Sequence, residues 1–134
     1  MEQRSSQSHP SMEACCARFG SQIVKNRKWR GTDPKRLETI ARNALGVMRE
    51  EGLFAFYLFL RYRWDDGGRV IWPQVKSLWQ EVGPLLGTDG DDRQQVIALT
   101  ENLHDLLLAR QVAERALVYA LYGLRAENKR EKKE

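Results

Sequence analysis

The sequence predicts an all-α fold, a single helical bundle of five to six helices. Apolar residues recur at intervals of three and four in every long segment, the spacing that places them on one side of a helix. Two prolines stand where a helix can start, one after Asp33 and one after Trp72. With 134 residues, 42% of them hydrophobic, the chain is long enough for one core and too short for two.

We expect three parts along the chain. Residues 1–10 are a flexible polar leader, residues 11–127 form the helical-bundle domain, and residues 128–134 are a charged, frayed tail. The leader lacks the apolar region of a signal peptide, and no apolar run approaches the length of a membrane span. We therefore expect a cytoplasmic protein without a membrane partner.

The first two helices are separated by a clear break. An apolar stripe marks the first helix, and Gly31 interrupts the pattern. Asp33 and Pro34 start the second helix as a capping acid and a proline at the first helical position, and Gly52 is suited to cap its end. The stripe of the first helix is Met12, Cys15, Cys16, Phe19 and Ile23, and that of the second is Leu37, Ile40, Ala41, Ala44, Leu45 and Met48.

The middle of the chain allows two interpretations. Residues 53–60 are a continuous apolar run, which fits a short buried helix or a buried strand followed by a hairpin turn at residues 65–68. We favour the helix, because a lone hairpin leaves its sheet edges unpaired. The next helix is expected to start at Trp72-Pro73 and to stop at residues 83–84, before a loop that ends in a capping acid at residues 91–92.

Residues 93–122 contain neither glycine nor proline, so they form one long helix or two helices with a break near residues 108–110. The pattern leaves both open. Two stripes of buried residues are expected here. One is Val96, Leu99, Leu103, Leu106 and Leu107, and the other is Val112, Ala113, Ala116, Leu117, Ala120, Leu121 and Leu124.

Charge is divided unevenly along the chain, although the formal net charge is only +4. Residues 25–49 hold eight cations against Asp33 and Glu38, and residues 81–105 hold six acids against Arg93. A basic end of this kind favours a polyanion such as RNA, and an acidic end favours a basic protein subunit. The predicted RNA-binding residues are Lys25, Arg27, Lys28, Arg30, Lys35, Arg36, Arg42 and Arg49.

Two helix faces are candidate contact surfaces. Lys35, Thr39, Arg42, Gly46 and Arg49 lie in one stripe opposite the apolar face of the second helix, where small residues between cations allow a phosphate backbone to approach. The alternative is an ordinary solvated face. On the outer side of the last helix, the residues expected to form a subunit interface are Gln111, Arg115, Val118 and Tyr122. The alternative there is that the N-terminal segment covers them.

No set of residues predicts catalysis, a metal site or a cofactor. Cys15 and Cys16 are adjacent on a helix and cannot form an ordinary disulfide, so we expect two reduced, buried thiols. His104-Asp105 resembles part of a metal-dependent phosphohydrolase site, but the only other histidine is His9 in the leader. The phosphate-binding and calcium-binding motifs are absent from the sequence. We expect a binding and assembly module and not an enzyme.

Three stretches resemble a known family. Residues 51–60 read Glu-Gly-Leu followed by an apolar helix, residues 109–127 are an alanine- and leucine-rich closing helix with a basic last turn, and a basic segment with a capped helix lies upstream of both. This order resembles the small all-helical subunit of type III-B, Cmr-type CRISPR effector complexes. Glu51 stands where that family often has asparagine, and residues 121–126 depart from its usual Trp-Leu-Lys-Arg.

The resemblance implies a non-catalytic subunit. Its copies stack along the complex, pack against each other and against the backbone subunits that carry the guide RNA, and flank the bound target RNA. The competing class is a free-standing helical DNA-binding regulator or adaptor, which needs a recognition helix with base-reading polar residues after a short turn.

Overall fold

Six α-helices make up most of the computed structural model, which describes residues 11–29, 31–82, 85–86 and 90–133. The side chains of residues 28, 29 and 131–133 are outside that description, as is the predicted leader at residues 1–10. No strand occurs among the described residues, so the predicted all-α bundle is confirmed. The helices are α1 (Met12–Trp29), α2 (Pro34–Glu51), α3 (Leu53–Tyr62), α4 (Arg69–Glu81), α5 (Asp92–Thr100) and α6 (Leu103–Lys133).

The start and end of α2 follow the sequence signals. Asp33 is the N-cap residue in an extended conformation, and Pro34 occupies the first turn. Gly52 ends the helix with a φ of 104°, a value that favours glycine, and its N–H donates to the carbonyl of Met48. Because this one residue separates the two helices, α3 starts immediately after α2.

Between α3 and α4 the chain makes a π-helical turn, Trp64–Gly68, which is interrupted at Gly67 by a non-helical φ of 159°, and it makes no hairpin. The carbonyl of Arg63 accepts the N–H groups of three residues, Asp66, Gly67 and Gly68. A Cβ atom at Gly68 would lie 2.0 Å from the carbonyl oxygen of Leu60, so only glycine fits against the end of α3. The helical interpretation of residues 53–72 is therefore correct.

Helix α4 begins at Arg69, earlier than predicted, and Pro73 lies inside it. Pro73 is the fifth residue of the helix, so the only helical carbonyl that loses a donor and is crowded by the proline ring is that of Arg69, at the very start of the helix. The predicted start at Trp72-Pro73 was wrong for this reason.

Two helices, not one, follow the loop before residue 91. Asp91 caps α5 in a reciprocal arrangement with Gln94, whose N–H lies 2.9 Å from an Asp91 carboxylate oxygen. The break falls at residues 101–102, where the Asn102 side chain accepts the N–H of Asp105 at 3.0 Å and starts α6. The break therefore lies before Leu103 and not near residues 108–110.

This break changes which leucines are buried. Leu103 and Leu107 were predicted to belong to a buried stripe, but 69% and 54% of their surfaces are exposed. A helix that restarts at residue 103 does not keep the phase of α5, so the apolar stripe of α5 cannot be extended across the break.

Helix α6 packs most extensively against α1 and α2, and it also contacts α4. Its buried alanines allow close approach: a Cβ atom added to Gly20 of α1 would lie 2.7 Å from the carbonyl oxygen of Ala116. The helix continues to Lys133, and Asn128 is buried and donates to Glu38 at 2.7 Å. Residues 128–133, which were predicted to belong to a frayed tail, are thus part of the helix.

The core around α4 is aromatic. Trp79 is fully buried, and its indole N–H donates to the carbonyl of Ala109 at 3.0 Å. Trp72 makes edge contacts with Trp79 and with Tyr57, at ring-centroid distances of 5.7 and 5.0 Å. These contacts hold α3, α4 and α6 together. Among the described residues, no helix has the length and apolarity needed to cross a membrane.

Candidate nucleic-acid and protein interfaces

The stripe predicted on the back of α2 lies on the surface. We call Lys35, Thr39, Arg42, Gly46 and Arg49 the basic face. The two arginines, Lys35 and Thr39 are exposed. A Cβ atom added at Gly46 would meet nothing within 4 Å, so the space beside this glycine is open. A phosphate backbone could therefore approach the helix closely at this position.

Each of the three arginines of α2 has a carboxylate partner, and for Arg36 and Arg49 that partner lies on another element. Arg36 lies 2.8 Å from Asp66 of the π-helical turn. Arg49 donates from two nitrogens to one Glu114 oxygen on α6, at 3.0 and 2.6 Å. Arg42 lies 3.6 Å from Glu38. Glu38 of the same helix and two acids from other elements thus reduce the positive charge of this end of the molecule.

These ion pairs are exposed, which limits their strength. Between 52% and 61% of each arginine side chain on α2 that forms such a pair is accessible to solvent. Pairs of this kind contribute about 0–1 kcal/mol, because water screens the charges and two long side chains lose freedom. A phosphate group can therefore replace the carboxylate at little cost.

Arg27 does not belong to the RNA-binding set. It is only 5% exposed, and its guanidinium lies 2.7 Å from Glu127 of α6. Arg27 lies one helical turn after Ile23 and continues the buried stripe of α1. This spacing predicts burial, whereas a count of charges along the segment does not. Arg27 therefore holds α1 and α6 together instead of facing a ligand.

The two lysines of the predicted set with described side chains are more accessible than Arg27. Lys25 and Lys35 are exposed and have no ion-pair partner among the residues that the structure describes. Arg30 and the side chain of Lys28 lie outside the described part of the chain. The predicted residues that remain as candidate RNA contacts are Lys25, Lys35, Arg36, Arg42 and Arg49.

The outer face of α6 is open over a length of several turns. Gln111, Arg115 and Tyr122 are exposed, and Val118 is half-buried. Gln111, Arg115 and Val118 line a shallow groove of about 480 Å³ together with Leu107 and other residues, and Tyr122 is not among its lining residues. Leu103 and Leu107, which the sequence analysis placed in the core, extend this face by two further turns.

The N-terminal end of the described chain lies beside this face. A second groove of about 360 Å³ adjoins the first, and Ser11 and Met12 line it together with Arg115. Residue 11 therefore lies beside the groove, while residues 1–10 are outside the described chain.

The His104-Asp105 pair lies on the surface, whereas the two cysteines are buried. His104 is exposed and lies 3.5 Å from Asp105. Cys15 and Cys16 are free and buried, and burial raises the pKa of the Cys16 thiol, with a smaller opposing effect of Arg115. Within the described ranges, no three histidine, cysteine, aspartate or glutamate side chains come together as metal ligands.

One carboxylate has a perturbed titration for structural reasons. Burial acts to raise the pKa of Asp92, but hydrogen bonds from Lys76 at 2.7 Å and from the Trp72 indole at 2.9 Å outweigh it and hold the pKa below its usual value. This carboxylate ties the start of α5 to α4. Glu81 also pairs with Arg18, so two of the acids in residues 81–105 have cationic partners within the same chain.

Comparison with protein-family models, with curated proteins and with solved structures gives no match for this chain. The observations define a class of molecule by its architecture and surface. It is a small helical bundle with an open basic face on α2 and an exposed, partly apolar face on α6.

Proposed function

We propose that this chain is a non-catalytic small subunit of an RNA-guided type III CRISPR effector complex. Several copies stack along the complex in the cytoplasm and contact guide or target RNA through the basic face. The outer face of α6 contacts other subunits, including backbone subunits and copies of the same chain. The resemblance of residues 51–60 and 109–127 to the small Cmr-type subunit supports the proposal, and the all-α fold agrees with it.

The observation that carries the proposal is the open basic face. It presents cations around a glycine with free space beside it, and its arginines are held only by exposed ion pairs. Such a surface suits contact with a phosphate backbone of any sequence. Sequence-tolerant contact is what a subunit needs when base pairing between guide and target supplies the specificity.

The acidic segment is a weaker candidate for contact with a basic subunit than its charge count predicts. Asp92 and Glu81 of the acidic segment have cationic partners within the same chain. Leu103, Leu107 and Tyr122 of α6 are exposed, and their apolar surface is available for contact with another subunit. The proposal therefore assigns subunit contact mainly to the outer face of α6.

The RNA contact can be tested with two charge-matched variants. Replacing Lys35 and Arg42 with glutamate removes two cations of the basic face. Replacing Arg93 and Arg110 with glutamate is the control, since both changes bring the formal net charge from +4 to 0. Affinity for unstructured RNA of several sequences is measured over a range of salt concentrations, with far-UV circular dichroism to check folding.

We expect only the first variant to lose affinity, equally for all sequences. If two phosphates are no longer neutralised, the slope of log affinity against log salt falls by about 1.4. Equal losses in both variants would show a dependence on net charge alone, and no loss in either would remove the basic face from the mechanism. Tighter binding to one duplex DNA sequence than to any RNA would instead favour a DNA-binding regulator.

The subunit contact needs a different measurement. Replacing Gln111, Arg115, Val118 and Tyr122 with alanine should weaken co-assembly with the other subunits in the native host. The basic-face variant should still assemble. Normal assembly of the α6 variant would exclude this face as the interface.

A further inference from the structure

The end of α3 carries an alternation of arginine and aromatic residues that the sequence analysis did not assign. Residues 61–64 are Arg61, Tyr62, Arg63 and Trp64, and we call them the α3-end cluster. Tyr62 is 81% exposed, more than any other large hydrophobic side chain among the described residues. The Tyr62 ring therefore offers an aromatic face that a ligand can reach.

Each arginine of the α3-end cluster lies near a ring. The Arg61 guanidinium is 4.6 Å from the centre of the Trp64 ring, and the Arg63 guanidinium is 5.8 Å from the centre of the Tyr62 ring. Trp64 packs partly against the core and so fixes one side of the cluster. Contacts between guanidinium and ring at these distances are attractive, and they hold positive charge beside an exposed aromatic surface.

The α3-end cluster is connected to the start of the basic face. Arg63 lies 3.2 Å from one oxygen of Asp66, and Arg36 lies 2.8 Å from the other. A groove of about 460 Å³ runs between these side chains and includes Lys35 among its lining residues. An exposed ring, three cations and an open groove therefore follow one another across the surface.

We infer that Tyr62 stacks on an unpaired base of single-stranded RNA whose phosphates lie along Arg63, Arg36 and Lys35. A base has a flat face that an exposed tyrosine can cover, and such stacking is independent of sequence. Bases within a duplex already stack on their neighbours, so the site takes a single strand. This inference rests on the RNA contact in the proposed function and adds a base-binding residue to it.

A second exposed tyrosine provides a comparison within the same molecule. Tyr122 is 67% exposed, and the Arg125 guanidinium is also 5.8 Å from its ring centre. Arg125, however, lies 3.3 Å from Glu38, which Arg42 and Asn128 also contact, and it is not among the residues that line the groove beside Arg63. Tyr122 also lies on the α6 face assigned to protein contact, so its loss should affect assembly and not RNA affinity.

The test compares Tyr62→Ala, Tyr62→Trp, Tyr122→Ala and Leu58→Ala with the unaltered full-length chain. Leu58 is an exposed apolar residue one turn earlier on α3, so its replacement controls for loss of apolar surface. The probes are a labelled oligoadenylate of roughly ten nucleotides and an oligonucleotide of the same length without bases. Binding is followed by fluorescence anisotropy at low and moderate salt.

We expect Tyr62→Ala to lower affinity for oligoadenylate by roughly 5- to 150-fold. Tyr62→Trp should retain affinity, and the two control variants should stay within about twofold of the unaltered chain. The abasic probe should bind all variants alike. The salt dependence should not change, because the ring neutralises no phosphate.

The inference is overturned if Tyr62→Ala binds oligoadenylate as the unaltered chain does. It is also overturned if the loss is equal for the abasic probe, or if Tyr122→Ala alone loses affinity. In each of these cases the unaltered chain still binds RNA through phosphates, and the proposed RNA contact stands. If the unaltered chain binds neither probe, both this inference and the proposed RNA contact are overturned.

Discussion

Replacing Gly20 with alanine tests the packing of α1 against α6, the most extensive helix contact in the bundle. The new Cβ atom would lie 2.7 Å from the carbonyl oxygen of Ala116 and 3.0 Å from Cβ of Tyr119. The nearest of these atoms is backbone, so no side-chain rotation relieves the contact, and the two helices must move apart. Gly46 in α2 is the matched control, because alanine there meets nothing within 4 Å.

The expected effects have opposite signs. Alanine stabilises a helix interior by about 0.5–1 kcal/mol relative to glycine, and this gain applies at both positions. Overpacking at Gly20 costs about 1–3 kcal/mol, and a contact shorter than 3 Å with backbone belongs in the upper part of that range. We therefore expect Gly46→Ala to stabilise by about 0.5–1 kcal/mol and Gly20→Ala to destabilise by about 1–2 kcal/mol.

Gly123→Ala gives an intermediate case, since its Cβ would lie 2.9 Å from a methyl group of Val24 that can shift. Free energies of unfolding are measured by urea titration followed by far-UV circular dichroism. A Gly20→Ala variant as stable as the unaltered chain would refute the close approach of α1 and α6. A destabilised Gly46→Ala variant would refute the assignment of Gly46 to an open surface.

Three further predictions concern charge and chemistry. Arg27→Gln should lower the free energy of unfolding by about 2 kcal/mol because it removes a buried, charge-assisted hydrogen bond to Glu127 that joins α1 to α6, whereas Arg49→Gln should cost less than about 1 kcal/mol and even less in high salt. Asp92 has a lowered pKa in the folded state, so its contribution to stability is present above about pH 4 and is lost as the pH falls through the folded pKa. The free energy of unfolding, measured by urea titration at neutral and at acid pH, should therefore change less with pH in Asp92→Asn than in the unaltered chain. Labelled RNA and DNA should stay intact when incubated with the purified chain and Mg²⁺ or Mn²⁺, and cleavage that His104→Ala abolishes would contradict the non-catalytic assignment.

The sequence was sufficient for the helices whose signals are local. The stripe and caps of α2 predicted both of its ends, and the choice of helix over hairpin for residues 53–72 was correct. The break between α5 and α6 was misplaced because it depends on a single capping asparagine, Asn102, with no proline or glycine to mark it. The start of α4 was missed because Pro73 is compatible with a position just beyond the first turn.

The candidate site was less predictable, because its electrostatics depend on residues far apart in the chain. Arg49 and Glu114 are 65 positions apart, and Arg27 and Glu127 are 100 apart. A count of charge within a segment cannot include such partners. The helical period alone could have placed Arg27 on the buried side, and it placed the exposed stripe of α2 correctly.

The order of the helices along the chain has a consequence for biosynthesis. Helix α6 leaves the ribosome after all the other described helices, yet it covers α1, the first of them. Because protein synthesis proceeds at about 5–20 residues per second, α6 is synthesised roughly 5–20 s after α1, and the apolar side of α1 lacks its contact with α6 during that time. Cys16 and Ile23, which have no exposed surface in the finished bundle, are open to water and to chaperones during that time. Folding of this chain is therefore completed only after α6 has been translated. A nascent chain stalled before residue 103 exposes the apolar side of α1 to other proteins.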